Sequence, residues 1–488
     1  MAKYILAHDF GTSADKASLF TTEGEFVKTK SYGYTTNYSN GNWAEQDPAD
    51  WWKAFCSVTK ELIEGIDAKD ILCVSFDGTY PNCLCLDENG EPLGPAMIWQ
   101  DSRTFEECNE LSEIIPKKYM ATYPNQRMRM DRTLPKLMWV RKHRPEIYEK
   151  TRLVLPSAHN YITYKLTGVP NCDYVTGKGM AMLNVEKTDW SDEILGLVDI
   201  PRSMLPELHD RSDIIGEIDE EGSKACGLAV GTKVICGTGD SDCSALGAGM
   251  VEYGDVILSG GTSAGFMIKP FPDKPCSNGF TASSGSSFSW LKNNICLYEQ
   301  ELAEKTDRDV YDIINETIET APIGSNGVMF HPYLAGERAP RHNQKAKGSF
   351  VGISLTTTRA DIMRSVIEGI GLNISLILDT VRAAGYDPES VVIAGGLGKG
   401  AITRQIFADI MNIELQVMKN MDETATIGCA VIGGIGLGIY EDERACRKFI
   451  EIVSTTKPIP ENVEKYQKLK PLFEKIYHGL EPVYPDMY

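Results

Sequence analysis

Three short segments of this chain carry the residue types that phosphoryl transfer needs. The reaction asks for backbone donors around phosphates, a carboxylate that holds hydrated Mg²⁺, and a group that accepts a hydroxyl proton. Asp9-Phe10-Gly11-Thr12-Ser13 closes the apolar run 4–7 in a tight turn. There a glycine lets the backbone approach a phosphate, while Thr12 and Ser13 bring hydroxyls and amides to its oxygens. Asp9 stands where it would hold the metal through water. Gly260-Gly261-Thr262-Ser263 offers a second turn of the same kind after the apolar run 256–258. Cys236-Gly237-Thr238-Gly239-Asp240-Ser241-Asp242 places a carboxylate after a strand and a glycine turn, at the start of a short helix. A helix N-terminus favours the carboxylate form that a general base requires. The plain alternatives are an ordinary hairpin for either turn taken alone and a helix cap for Asp240 or Asp242.

The two turns are copies of one another. Gly11-Thr12-Ser13-Ala14 recurs 250 residues later as Gly261-Thr262-Ser263-Ala264, about half the chain away. Each copy lies between two apolar runs, which reads as a hairpin in each half of a duplicated chain. Periodicity predicts helices over 48–66, with Asp47 as cap, and over 102–115, 359–384 and 402–411, and strands over 71–76, 83–86 and 391–394. This is the pattern of two α/β domains, each a mixed sheet flanked by helices. The expected division is a first domain over 1–246, a second over 247–440, and a helical C-terminal extension over 441–488 that packs on the second domain.

Composition narrows the partners. Acidic residues outnumber basic ones 68 to 49, and the net charge of -19 repels nucleic acid and anionic membrane alike. No apolar run is long enough to span a bilayer, and the start does not read as a signal peptide. The thirteen cysteines are odd in number and scattered in apolar runs, which predicts reduced thiols in the cytoplasm. Cys83 and Cys85 share a strand face but lack a second pair at zinc spacing. Gly396-Leu397-Gly398-Lys399-Gly400-Ala401 matches a dinucleotide fingerprint, with Glu414 further on, and so raises a dehydrogenase as a rival class.

With these residues in place, the chain resembles the FGGY carbohydrate kinases of the sugar kinase, actin and heat-shock chaperone superfamily, in particular their xylulose kinase-like branch. Thr133-Leu134-Pro135-Lys136-Leu137-Met138-Trp139-Val140 fits the family's first signature. Gly348 to Ile353 followed by Asp361 to Glu368 fits the second. Trp43 to Pro48, Trp99 to Arg103 and Pro332 to Pro340 are family-like as well. The resemblance implies two ribonuclease-H-like (actin-like ATPase) domains around an interdomain cleft. It implies ATP and Mg²⁺ as cofactors, a homodimer, Asp240 as catalytic base, and Asp9 with Asp240 as the metal carboxylates. Thr12, Ser13, Gly261 and Thr262 match phosphate positions, Gly396 and Gly400 the adenosine-side loop, and Gly285 a nucleotide position.

The acceptor side departs from the pattern. Tyr80-Pro81 stands where xylulose kinases carry Met-His and glycerol kinases Arg-Glu, and Ser241 follows the base where Asn or Gln is common. Asp131 and Arg132 bring charge to the start of the first-signature helix, as substrate contacts or as a solvated helix start. The expected reaction is phosphorylation of a hydroxyl on a ketopentose such as xylulose or a related ketose or polyol. The alternatives are a sugar acid acceptor or, in a different class, a non-catalytic nucleotide-gated binding protein.

Overall fold

The computed structural model describes residues 2–121, 124–274 and 278–487. In its first sheet, Tyr4–Phe10 pairs antiparallel with Ala14–Thr21 and parallel with Ile71–Gly78. The strand order runs Ile214–Glu217, Lys233–Ile235, Ile71–Gly78, Tyr4–Phe10, Ala14–Thr21, Phe26–Gly33, and Thr238–Gly239 also pairs with Ile71–Gly78. The second sheet runs Ile452–Thr456, Glu414–Met418, Ser390–Ala394, Val256–Gly260, Ala264–Ile268, Gly279–Phe280. Taken strand by strand, the two orders correspond, and so does the sense of every pairing. The duplication read from two four-residue turns therefore extends through both sheets, which are mixed and flanked by helices as expected.

Local sequence explains the framing helices. Asp47 accepts from the Ala49 amide at 2.9 Å and Pro48 opens the helix Pro48–Ile63, whose Trp51, Ala54, Phe55, Val58 and Leu62 are buried on one face. The 25-residue helix Arg359–Ala383 begins with a reciprocal capping box between Thr358 and Asp361. Its apolar stripe of Val366, Ile370, Ile374 and Ile377 is wholly buried.

Two compact units result: Met1–Gly247 with Glu423–Phe449, and Ala248–Asp422 with Ile450–Tyr488. This differs from the division expected at 440. The helix Thr424–Gly436 is buried nearly all round and packs on Asp240–Gly247 in the first unit. Small residues make that approach feasible: a Cβ on Gly428 would strike the Cys243 backbone, and one on Gly247 would strike the Thr424 carbonyl. The end of the chain differs as well. Ile452–Thr456 adds an edge strand to the second sheet before the helix Pro460–Leu480, and the last turn, Glu481–Met487, buries Tyr484.

Candidate functional site

In the first unit, parallel pairing sets Asp9 directly beside Asp77. Burial pushes the pKa of Asp9 up, and the Lys16 ammonium at 4.0 Å opposes that rise. Asp77 is fully buried and is pushed well above the carboxylate range by burial and by Asp9; its Oδ1 has no protein partner. Asp240 opens the helix Asp240–Gly247, where the Ser241 amide donates to its Oδ1 at 2.7 Å and the Ser241 hydroxyl at 3.3 Å. Burial and the nearby Asp9 charge raise its pKa to about 7, within the range where a carboxylate works as a base near neutrality. Burial and Asp173 lift Asp242 to about 6. The helix terminus thus does not dominate: dehydration and like charge outweigh it.

An oxygen-rich carboxylate set with one orphaned oxygen suits a hard divalent cation. Behind it, Asp77, Cys243 and Cys429 keep their ligand atoms within 4.8 Å of one another. The Cys429 thiol donates to Asp77 Oδ2 at 3.1 Å, and burial holds it well above its ordinary pKa, so it serves as a protonated donor.

The turn at Thr12 is fixed from behind. The Tyr34 hydroxyl donates to the Gly11 carbonyl, Gln46 Nε2 donates to the Thr12 carbonyl at 2.6 Å, and the Tyr34 amide donates to the Ser13 carbonyl at 3.0 Å. Each of these bonds uses a loop carbonyl. Trp99 Nε1 adds a bond to Thr12 Oγ1 at 3.1 Å. The family-like segments around Trp43 and Trp99 form one scaffold. Arg103 pairs with Glu45 at 2.8 Å and with Asp101, between the rings of Trp43 and Trp139.

Tyr80 lies against Gly239, where a Cβ would meet its ring, and against Gly179. Burial raises its pKa, with Asp242 and Asp240 adding to the rise, so the phenol faces both carboxylates as a neutral group. Asp131 is engaged by Arg129 at 2.6 Å and Arg132 at 3.7 Å, which hold its carboxyl below the usual range against burial.

The second unit contains a cavity of about 530 Å³, the size of a small-molecule site. Gly261, Thr262, Gly285, Gly396 and Gly400 all line it, together with Phe288, Ser289, Asp309, Tyr311, Asp312, Asn315 and Lys399. The Gly285 amide donates to the Gly261 carbonyl at 3.2 Å, and a side chain at Gly285 would collide with that oxygen. Gly395 holds φ at +93° against the Gly260 backbone, and a Cβ on Gly396 would meet open space. The dinucleotide look-alike is accordingly a short 3-10 turn, Gly396–Gly398, between Ser390–Ala394 and Ala401–Met411, on the rim of this cavity. Sequence reasoning missed the Val310–Glu319 side. Its Tyr311 packs edge-on against Phe288 with ring centroids 5.0 Å apart, and Asp309 caps the helix through the Tyr311 amide at 2.7 Å. Only the Asp309 cap before an amphipathic helix was there to be read, and it marks a helix, not a ligand. The Glu337 of the segment 332–340 is scaffold: it accepts from the Ala282 amide at 2.8 Å and from Asn373 at 2.5 Å.

Residues 4–247 match the family model described as the N-terminal domain of the FGGY family of carbohydrate kinases, and residues 257–437 match its C-terminal domain. The xylulose kinase of Bacillus subtilis strain 168 is 29% identical, with 97% of each chain covered. The gluconokinase of Bacillus licheniformis is 26% identical over 100% of this chain and 98% of that protein. Among solved structures, the ligand-bound xylulose kinase from Lactobacillus acidophilus superposes with a TM-score of 0.87 at 25% identity, covering 100% of both chains.

Proposed function

The chain belongs to the FGGY family of carbohydrate kinases, and from that membership we propose that it transfers the γ-phosphoryl group of ATP to a hydroxyl of xylulose or a closely related ketose or polyol. The observation that carries this reading is Asp240, a carboxylate tuned to about 7 beside Asp9 on the unit that also presents Tyr80. Asp240 accepts the acceptor hydroxyl's proton. The Thr12 and Ser13 turn and the Gly261-Thr262 turn bind phosphate through amides and hydroxyls, and the glycine-lined cavity of the second unit takes the nucleoside. Asp9 and Asp240 would hold Mg²⁺. The ion supplies positive charge where negative charge develops on the transferred group. Because such transition states are loose, positioning carries most of the acceleration.

Full-length similarity to a xylulose kinase supports a ketose acceptor, and similarity to a gluconokinase keeps sugar acids as the second reading. Tyr80 beside two carboxylates favours the neutral acceptor, since an acidic sugar would meet like charge at Asp240 and Asp242. A cytosolic location fits the twelve described cysteines, all of which are free thiols. ADP formation measured across ketopentoses, polyols and sugar acids tests the proposal. Turnover is expected with a ketopentose or polyol; turnover with a sugar acid alone selects the second reading, and no acceptor-dependent ADP with any compound overturns both.

A further inference from the structure

The proposed acceptor side contains a buried cation that none of the catalytic roles above uses. Lys136 has no exposed surface, yet it lies among the apolar residues of the first-signature helix Thr133–His143. Its ammonium donates to three backbone carbonyls, Pro81, Ile98 and Asp131, each at 2.8 Å. An ammonium has three N–H donors, so its capacity is filled. The three acceptors belong to three separate segments; Pro81 and Asp131 lie on the expected acceptor side, and Ile98 adjoins Trp99, which bonds the Thr12 turn. Pro81 follows Tyr80, Ile98 precedes Trp99, and Asp131 carries the Arg129 and Arg132 pairs.

We propose that Lys136 is a positioning residue that locks the turn at Tyr80-Pro81, the Trp99 segment and the start of the Thr133–His143 helix into the geometry that binds the sugar acceptor. The surrounding bonds close the same node. Thr133 Oγ1 donates to the Asn82 carbonyl at 2.7 Å, and the Trp99 amide donates to Asn82 Oδ1 at 3.0 Å. The Trp99 indole then reaches Thr12 Oγ1, so the node also meets the phosphate turn. The three bonds offset the cost of dehydrating the charge, and they also fix a geometry. Methionine would fill nearly the same volume without the cost of dehydrating a charge. What methionine cannot do is hold three carbonyls converged on one point, and losing that convergence frees Tyr80 and Trp99 to move relative to Asp240.

The inference rests on the proposed kinase reading and is tested on the full-length protein with the acceptor that reads out most strongly in the ADP assay. Lys136→Met is expected to raise the acceptor KM about tenfold or more, as expected when several hydrogen bonds that fix a site are lost. The nucleotide KM should change less than the acceptor KM, because the nucleotide cavity belongs to the other unit and the node meets a phosphate turn only through the Trp99 bond to Thr12. Lys136→Arg, which keeps the charge but has a planar donor set, should also raise the acceptor KM. Thr133→Val, on the same helix, should change it less than either. A folded Lys136→Met protein with the wild-type acceptor KM overturns the inference while leaving the kinase reading intact. If Lys136→Met does not fold, a wild-type acceptor KM in Lys136→Arg overturns it equally. A wild-type enzyme silent on every acceptor removes both.

Discussion

The turn after Tyr4–Phe10 and the turn after Val256–Gly260 share the sequence Gly-Thr-Ser-Ala and the same place in two sheets of corresponding order. Their surroundings are opposite in character. In the first unit, the residue two before the glycine is Asp9, and the parallel neighbour it faces is Asp77. In the second, the same position is Ser259, and its neighbour is Ala394. One copy is crowded with carboxylates whose pKa values are driven upward; the other opens onto a cavity lined by five of the expected glycine and threonine positions. A duplicated scaffold thus supplied the turn twice, and side chains on the adjoining parallel strand give the copies different surroundings, paired carboxyls in the first unit and an open cavity in the second.

The division can be broken at each half in turn. The largest effect is expected from Asp240→Ala, which should lower kcat by about 10²–10⁴-fold, the usual range for a general base. Nucleotide affinity, measured by calorimetry or fluorescence titration, should remain close to wild type. A loss of nucleotide binding instead would mean that the halves do not divide the work this way. Asp240→Asn should also stabilise the metal-free protein. The native carboxyl, at about 7, binds its proton more tightly than an ordinary one at 3.8, so wild-type stability falls as pH rises between those values. The gain from Asn is therefore complete above pH 7, of order 2 kcal/mol after allowing for partial exposure, and shrinks toward pH 4. Thermal denaturation at pH 8 and pH 5 reads the difference.

On the other half, Gly285→Val forces a side chain against the Gly261 carbonyl. The nucleotide KM should rise about tenfold, equivalent to 1–2 kcal/mol, while the acceptor KM changes little. Equal shifts in both constants would blur the comparison. The smallest effect is expected for Trp99→Phe, which deletes the bond to Thr12 Oγ1 but keeps an aromatic ring. Loss of one such bond, about 1 kcal/mol, predicts a several-fold decrease in kcat/KM for the acceptor.

Much of this was legible in the chain because it depends on near neighbours. The Gly-Thr-Ser-Ala turns, the cap at Asp47, the helix starting at Arg359 and the strand before Gly396 all follow from residues within a few positions of one another. The strand Ile452–Thr456 was not legible. Ile452 and Val453 are both exposed on a sheet edge, so no buried alternation marks it. Asp77 was passed over for a related reason: a single aspartate at a strand end means nothing until a parallel pairing sets it against Asp9. Tyr311 and Phe288, likewise, read only as parts of amphipathic helices.

By itself the sequence determined the turns, the duplication and the place of Asp240 at the start of a short helix, since a strand, a glycine turn and a following helix are set by short-range sterics and hydrogen bonding. Only the tertiary structure decided that Asp9 and Asp77 stand side by side, that Lys136 gathers carbonyls from residues 81, 98 and 131, and that the helix Thr424–Gly436 serves the first unit. Those outcomes depend on parallel strand pairing and close helix packing between distant segments, whose partners are chosen by the burial of whole faces and not by any residue's neighbours in the chain.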